Sequence, residues 1–140
     1  MPATEPPGVG IRPGIEIRKL TVHADARGAV FEPLEPALLA GWRNVHTVVS
    51  APGAVRGNHR HTRGTEFTAV LGPALVRYRI GATIEEQHVP AGEVWRFAFP
   101  PGTAHGFKNT GASPTVLVSF NTELHDPGRP DAEREELIAP

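Results

Sequence analysis

The sequence has no cysteine, no long apolar run and no long run of charge of one sign. The lack of cysteine excludes disulfides, thiolate nucleophiles and sulfur-bound metals, so any metal must be held by His, Asp or Glu. Because no stretch of about 18 apolar residues occurs, no membrane span is predicted. The formal net charge is -1 at pH 7, which favours neither nucleic acid nor a membrane surface as a partner. The first residues do not resemble a signal peptide, and we expect a cytoplasmic protein.

Turn-forming residues, in contrast, are abundant: 15 glycines and 15 prolines in 140 residues. They divide the chain into about nine or ten short β-type segments at roughly 8–12-residue spacing, the pattern of an antiparallel β-sandwich or barrel. We therefore predict an all-β fold. The expected organisation is a flexible N-terminal arm at residues 1–14, a single domain at 15–130, and a C-terminal tail or short helix at 131–140.

Four candidate metal ligands lie in two groups that are far apart in the sequence. His59 and His61 are two residues apart, so in a strand both side chains point to one face. Glu66 begins the next segment after a tight turn, where an antiparallel neighbour brings its carboxylate to the same point. His105 follows a Pro-Pro-Gly turn that aims it at a site built by other strands. Three imidazoles and a carboxylate suit one divalent zinc, iron, manganese, nickel or copper ion, with positions left open for water or substrate.

The spacing of these residues resembles the two cupin motifs. The matching stretches are Gly53-x5-His59-x-His61-x4-Glu66-x5-Gly72 and Pro100-x-Gly102-x2-His105-x3-Asn109. The first is one residue shorter than the usual motif, and the interval before the second is two residues longer, but both differences lie in turns. The resemblance implies a cupin double-stranded β-helix, or jelly roll, with the metal inside the barrel.

A narrower resemblance covers about residues 25–138 and concerns the C-terminal cupin domain of the bifunctional capsular polysaccharide reductase/epimerases. It is carried by Asp25-x-Arg27-Gly28, Pro52-Gly-x-x-Arg56-Gly57-Asn58-His59, Ala74-Leu-Val-Arg77-Tyr-Arg79 and Asn121-x-Glu123-x-x-Asp126-Pro127-x-x-Pro130-Asp131. This resemblance implies a zinc-binding, dimeric epimerase of a UDP-linked 4-keto-6-deoxyhexose. The stretch Arg56-Gly57-x-His59 also resembles the nucleotide-sugar 3,5-epimerases, which need no metal.

Epimerisation next to a ketone requires a base with a pKa near neutrality, and a metal at the ketone oxygen stabilises the enolate. His46 and Tyr78 are the candidates for the proton transfers, and Tyr78 could protonate the opposite face of the substrate. The alternative for His46 is a hydrogen-bonded strand residue. The alternative for Tyr78 is a core aromatic on the face of its segment that also carries Val76 and Ile80.

The diphosphate of a nucleotide sugar is best matched by arginine, which offers two parallel hydrogen bonds. Arg56 lies beside the predicted ligand strand. Arg77 and Arg79 share one face of their segment. If that face is the barrel interior they bind ligand or carboxylates, and if it is the outer face they are solvated.

Two other functions fit the same ligand set. An iron-dependent dioxygenase would use the open coordination positions for oxygen chemistry. A non-catalytic module would bind a sugar or a small acid in the same pocket. For all three functions we expect a homodimer, because strands at sheet edges need cover and an arm such as residues 15–23 can cross to a second subunit.

Overall fold

The structure is a computed structural model that describes residues 11, 12 and 14–140, with side chains from residue 14 onward. Most of the predicted N-terminal arm, residues 1–10 and 13, lies outside the described residues. The described part contains one turn of 3-10 helix, Pro36–Leu38, which is far too short to cross a bilayer. Its strands are β1 (Ile11–Arg12), β2 (Ile15–Lys19), β3 (His23–Asp25), β4 (Gly28–Val30), β5 (Asn44–Ser50), β6 (Val55–His61), β7 (Glu66–Leu71), β8 (Ala74–Ile80), β9 (Thr83–Val89), β10 (Val94–Phe99), β11 (His105–Asn109), β12 (Thr115–Asn121) and β13 (Ala132–Arg134).

These strands form two main antiparallel sheets. Sheet I has the order β1-β2-β10-β7-β12-β5, and sheet II has the order β13-β6-β11-β8-β9. Strands β3 and β4 form a separate hairpin. Every strand pair within the described residues is antiparallel, as in a sandwich of hairpins and longer crossovers. The predicted all-β cupin sandwich is confirmed.

A hydrophobic core fills the space between the two sheets at one end. Because side chains alternate along a strand, each strand gives every second residue to this core. Sheet I contributes Ile17, Val70, Phe97, Phe99 and Leu117, and sheet II contributes Val76, Tyr78 and Phe107. Burying one large apolar side chain stabilises the fold by about 1.5–3 kcal/mol, so this end holds the two sheets together.

The inner face of sheet I changes character along its strands. On β7 it carries Glu66, then Thr68, then Val70, because these residues are two apart. Cross-strand pairing continues the change on β12, where Asn121 lies opposite Glu66 and Ser119 lies opposite Thr68. On β7 and β12 the inner face is therefore polar at the Glu66 end and apolar at the other, while Phe99 of β10, opposite Glu66, brings the apolar core up to the polar end.

The C-terminal residues form a strand where the sequence favoured a tail or a short helix. Strand β13 pairs with β6, and Ala132 lies opposite His61. Further along, Asn58 donates from Nδ2 to the carbonyl of Ile138 at 2.9 Å and accepts from the N–H groups of Leu137 and Ile138 at 3.0 and 3.1 Å. These long-range contacts outweigh the helix propensity of an Ala/Glu/Arg/Leu stretch. We call residues 131–138 the C-terminal strap.

The N-terminal strands extend sheet I. Residues 15–23 were named as an arm that can cross to a second subunit, and within the single chain β2 pairs with β10, from Lys19 opposite Trp95 to Glu16 opposite Ala98. Residues Ile11 and Arg12 of the predicted arm extend the sheet by pairing with β2. The homodimer and the crossing arm stay predictions.

Candidate metal centre

The structure brings together the four predicted ligands, although they come from both sheets. His59 and His61 lie on β6 and His105 on β11, which are neighbours in sheet II, while Glu66 begins β7 in sheet I. In the register, His59 is directly opposite His105. One ligand atom of each residue lies within 4.8 Å of the ligand atoms of the others. Donors this close converge on a single ion-sized position.

The carboxylate of Glu66 is the centre of this cluster. Its Oε1 is 2.8 Å from Nε2 of His61 and 3.9 Å from Nε2 of His59. Its Oε2 is 3.1 Å from Nε2 of His105 and accepts a hydrogen bond of 2.6 Å from the hydroxyl of Thr68. The three imidazoles therefore present the same ring nitrogen to one carboxylate.

His105 shows why the cluster fits a metal ion. Its Nδ1 lies 2.9 Å from the carbonyl oxygen of Thr103, and because a carbonyl only accepts, Nδ1 carries the proton. In the neutral ring, Nε2 then carries the lone pair; it is buried 3.1 Å from Oε2 of Glu66 and makes no hydrogen bond among the described residues. The ring is held in place by stacking on Phe99, with centroids 4.0 Å apart and planes 4° from parallel. An oriented, unprotonated imidazole nitrogen is the form that binds a metal.

The electrostatics of the cluster also favour a cation. Burial raises the pKa of the Glu66 carboxyl. His105, His59 and His61 lower this pKa by more than burial raises it, so it lies well below the usual 4.5. Burial lowers the pKa of His61, whereas Glu66 and Asp131 raise it, and the net pKa is above the usual 6.5. The buried Glu66 is thus a carboxylate that needs positive charge beside it, and a divalent ion supplies that charge.

A cleft of about 490 Å³ opens beside the cluster. His61 lines it from sheet II, and His46 and Asn121 line it from sheet I. The remaining wall comes from the loop between β12 and β13, with Glu123, Leu124 and Asp131 among its residues. The cleft gives a small polar molecule a route to the edge of the cluster.

Comparison with known proteins identifies the chain's relatives. Residues 23–133 match the family described as Polysaccharide biosynthesis C-terminal domain. The chain belongs to this family. It is 29% identical to the probable low-salt glycan biosynthesis epimerase Agl13 of Haloferax volcanii, over 86% of this chain and 85% of that protein. The predicted resemblance to the cupin domain of capsular polysaccharide proteins is confirmed.

Two solved structures show the same fold. The capsular polysaccharide assembling protein CapF of Staphylococcus aureus matches 84% of this chain with a TM-score of 0.63 and 27% identity. The match covers only 33% of the CapF chain, so this chain spans about a third of that protein. The 3'-monoepimerase ChmJ of Streptomyces bikiniensis, solved with dTDP-quinovose, has a TM-score of 0.68 over 90% of this chain and 71% of that one. Its identity is 19%, so this second likeness concerns the fold alone.

The two predicted proton carriers lie on opposite sheets in this family member. His46 is an exposed residue of β5 that lines the cleft, with Nδ1 3.3 Å from Oδ1 of Asn44. Tyr78 is wholly buried in the core, directly opposite His105 in the register of β8 and β11. Its hydroxyl has no hydrogen-bond partner in the part of the chain that the structure describes.

The three predicted phosphate ligands separate into two groups. Arg77 and Arg79 lie on the outer face of sheet II, because their neighbours Val76 and Tyr78 face the core. Arg77 binds Glu86 at 2.7 Å and the carbonyl of Leu137 at 2.9 Å, and Arg79 binds Glu135 at 2.6 Å. These two arginines hold the C-terminal strap, and a role as substrate ligands stays a prediction for them.

Arg56 differs from them because it is free to bind. It lies on β6, the strand of His59 and His61, and its side chain is exposed. No ion pair or hydrogen bond engages its guanidinium within residues 14–140. It stays a candidate for the diphosphate.

Two residues of the centre were missed by the sequence analysis. Thr68 donates to Glu66, and the signal for it was present: it lies two residues after Glu66 on a strand and therefore shares the inner face. Asp131 accepts from the N–H groups of Arg63 and Gly64 in the turn after His61. Only the stretch Asn121 to Asp131, quoted for the family resemblance, pointed to it.

Proposed function

We propose that this chain is a metal-dependent epimerase or isomerase of a nucleotide-linked 4-keto-6-deoxy sugar. The observation that carries the proposal is the convergence of three imidazoles and one carboxylate within 4.8 Å beside a cleft. The choice of epimerisation or isomerisation as the reaction is supported by the family and by the relative named as a glycan biosynthesis epimerase.

His59, His61, Glu66 and His105 would hold the ion, for which zinc is our first choice and iron, manganese and nickel are the others. When bound, the metal supplies Lewis-acid stabilisation of the negative charge that develops on the ketone oxygen. The protein holds two of the four ligands firmly, since His105 and Glu66 are buried and fixed by Thr103, Phe99 and Thr68.

The proton transfers are assigned to residues on the two inner faces. Epimerisation removes the proton from the carbon next to the ketone, leaves an enolate, and returns a proton to the opposite face of the same carbon. His46 projects from sheet I into the cleft, and histidine is the side chain that most often transfers protons in enzymes, so we propose it as the base. Tyr78 on sheet II is the candidate donor for the other face.

The substrate's charged end needs a cation outside the acidic part of the cleft. Glu123, Asp126 and Asp131 line the wall formed by the β12–β13 loop, and carboxylates repel a diphosphate. We therefore place the sugar in the cleft and the diphosphate towards the exposed Arg56. A guanidinium can bind such a group with two parallel hydrogen bonds.

The test is an exchange experiment in deuterium oxide with UDP- and dTDP-linked 4-keto-6-deoxyhexoses as probes. The zinc-loaded protein should introduce deuterium at a carbon next to the ketone, observed by NMR and mass spectrometry. The His59→Ala variant should lose bound metal in elemental analysis and lose at least 100-fold in exchange rate. His46→Gln should keep the metal and lose about 100-fold or more in exchange, the usual range for a general base.

The contrary results are equally specific. Both probes staying fully protonated after long incubation would contradict the proposal. Iron in the purified protein with oxygen uptake in place of exchange would favour the dioxygenase. Binding of either probe in calorimetry, with neither exchange nor product, would favour the non-catalytic module.

A further inference from the structure

Asp131, the first residue of the C-terminal strap, lies behind the metal ligand His61. Its Oδ2 is 3.4 Å from Nδ1 of His61, while Nε2 on the other side of the ring is 2.8 Å from Glu66. This Nδ1 is buried and has no hydrogen-bond partner within residues 14–140. If Nε2 binds the metal, Nδ1 carries the proton, and Asp131 offers it the nearest carboxylate.

The carboxylate of Asp131 is itself held firmly by the turn after β6. Its Oδ1 accepts from the N–H of Arg63 at 2.8 Å and from the hydroxyl of Thr62 at 3.0 Å. Its Oδ2 accepts from the N–H of Gly64 at 3.0 Å. A Cβ on Gly64 would lie only 2.2 Å from Oδ1 of Asn121 and 2.9 Å from Oδ2 of Asp131, so a larger residue here would displace these side chains.

We propose that Asp131 is a positioning residue that fixes the ring orientation and tautomer of His61 and thereby sets the affinity of the centre for its divalent metal. A carboxylate that accepts from Nδ1–H directs the lone pair of Nε2 into the site and increases its basicity. The inference rests on the metal centre of the proposed function but not on the sugar chemistry. It gives the C-terminal strap a role in metal binding as well as in folding.

The competing explanation is that Asp131 only caps the turn at residues 62–64. A cap would contribute to stability through the N–H groups of Arg63 and Gly64 without changing the electronic state of His61. The two roles are separated by measuring metal affinity and stability in the same variants. The matched control is Glu135→Gln, which weakens the strap at its ion pairs with Arg79 and Arg60 and contacts none of the four ligands.

The experiment titrates Zn²⁺ into the full chain against a chromophoric chelator. Asp131→Asn and Asp131→Ser, which keeps one oxygen near the turn but cannot reach His61, should each bind Zn²⁺ about 10- to 100-fold more weakly. Glu135→Gln should stay within about threefold of the unaltered protein. In ¹⁵N NMR of the zinc-loaded protein, the His61 Nδ1 resonance should shift in both Asp131 variants and not in Glu135→Gln.

Unchanged Zn²⁺ affinity in folded Asp131→Asn or Asp131→Ser would overturn the proposal. An equal loss in Glu135→Gln would also overturn it, because strap stability alone would then explain the effect. If the unaltered protein binds no Zn²⁺, the metal centre fails together with this inference. Failure of deuterium exchange in a protein that binds Zn²⁺ would remove the sugar chemistry alone.

Discussion

The two ends of the barrel interior are built on the same strands but by opposite rules. On β7, the side chain of Val70 is packed among apolar neighbours, whereas Glu66, four residues earlier on the same face, is packed among three imidazoles. The apolar end gains stability from burial, while a buried carboxylate costs free energy unless charge is placed beside it. The comparison shows that the free energy gained by burying apolar side chains offsets the free-energy cost of holding a preorganised polar site.

The largest expected effect is at the apolar end. Phe97 is fully buried, so Phe97→Ala should lower the free energy of unfolding by about 3–5 kcal/mol. Zn²⁺ affinity of the folded fraction should stay within about threefold, because the Phe97 ring stacks on Phe99, and it is Phe99 rather than Phe97 that stacks on the ligand His105. Urea denaturation and chelator competition measure the two quantities.

The control for this change is Val30→Ala, an exposed position where less than about 0.5 kcal/mol is expected. If Phe97→Ala lowers both the Zn²⁺ affinity and the free energy of unfolding, packing in the core and metal binding are coupled, and the expected independence of the two is wrong.

A change at Thr68, between Glu66 and Val70 on β7, should have a smaller effect on stability and should also weaken Zn²⁺ binding. Thr68→Val keeps the shape of a fully buried residue but removes its hydrogen bonds to Glu66 and Ser119. Since a hydrogen bond to a charged group contributes about 1.5–3 kcal/mol, a loss in this range is expected in the metal-free protein. Zn²⁺ affinity should fall about tenfold, as for other groups that orient a ligand.

Thr47→Val on the exposed face of β5 provides the matched control. A Thr68→Val protein with unchanged affinity would show that Glu66 needs no support from its own sheet.

The smallest effect is expected outside the barrel, in the C-terminal strap. A hydrogen bond from Arg79 is the main cause that lowers the pKa of the Glu135 carboxyl, with Arg60 adding to it. Because the folded-state pKa is below the unfolded one, these ion pairs stabilise the protein above about pH 4.3 and are lost as the pH falls through the folded-state pKa. Glu135→Gln should therefore cost about 0.5–1 kcal/mol at pH 7.

That difference between Glu135→Gln and the unaltered protein should shrink as the pH falls below about 4.3 and approach zero below the folded-state pKa of Glu135, measured by urea denaturation with a chelator present. Glu32→Gln, an exposed glutamate, should show no such pH dependence. A constant difference at all pH values would mean that the carboxylate charge of Glu135 has no part in holding the strap.

The metal ligands could be predicted because their geometry is local. A His-x-His pair on a strand and a histidine after a Pro-Gly turn define directions that the backbone period alone determines. The faces of β8 were harder, because apolar residues occur on both: Leu75 precedes Arg77 on one face, and Val76 precedes Tyr78 on the other. Only the packing of the second sheet decides which face is inside.

The strap could not be predicted because its partners are distant in sequence. Asn58 contacts Leu137 and Ile138 about 80 residues away, and no local pattern encodes such a pair. Residues 132–134, Ala-Glu-Arg, favour a helix by propensity, and three residues are too few to show strand alternation. Asp131 was missed as a contact of His61 for the same reason.

Strand β6 has neighbours on both sides, β11 and β13, although without the last residues it would lie at the border of its sheet. A free border of this kind, carrying two histidines, would be open to pairing with another molecule and to metal-bridged aggregation. Removing residues 131–138 would therefore uncover β6. An affinity tag placed directly after Pro140 would lie two residues from the buried Ile138, so a flexible spacer is advisable there.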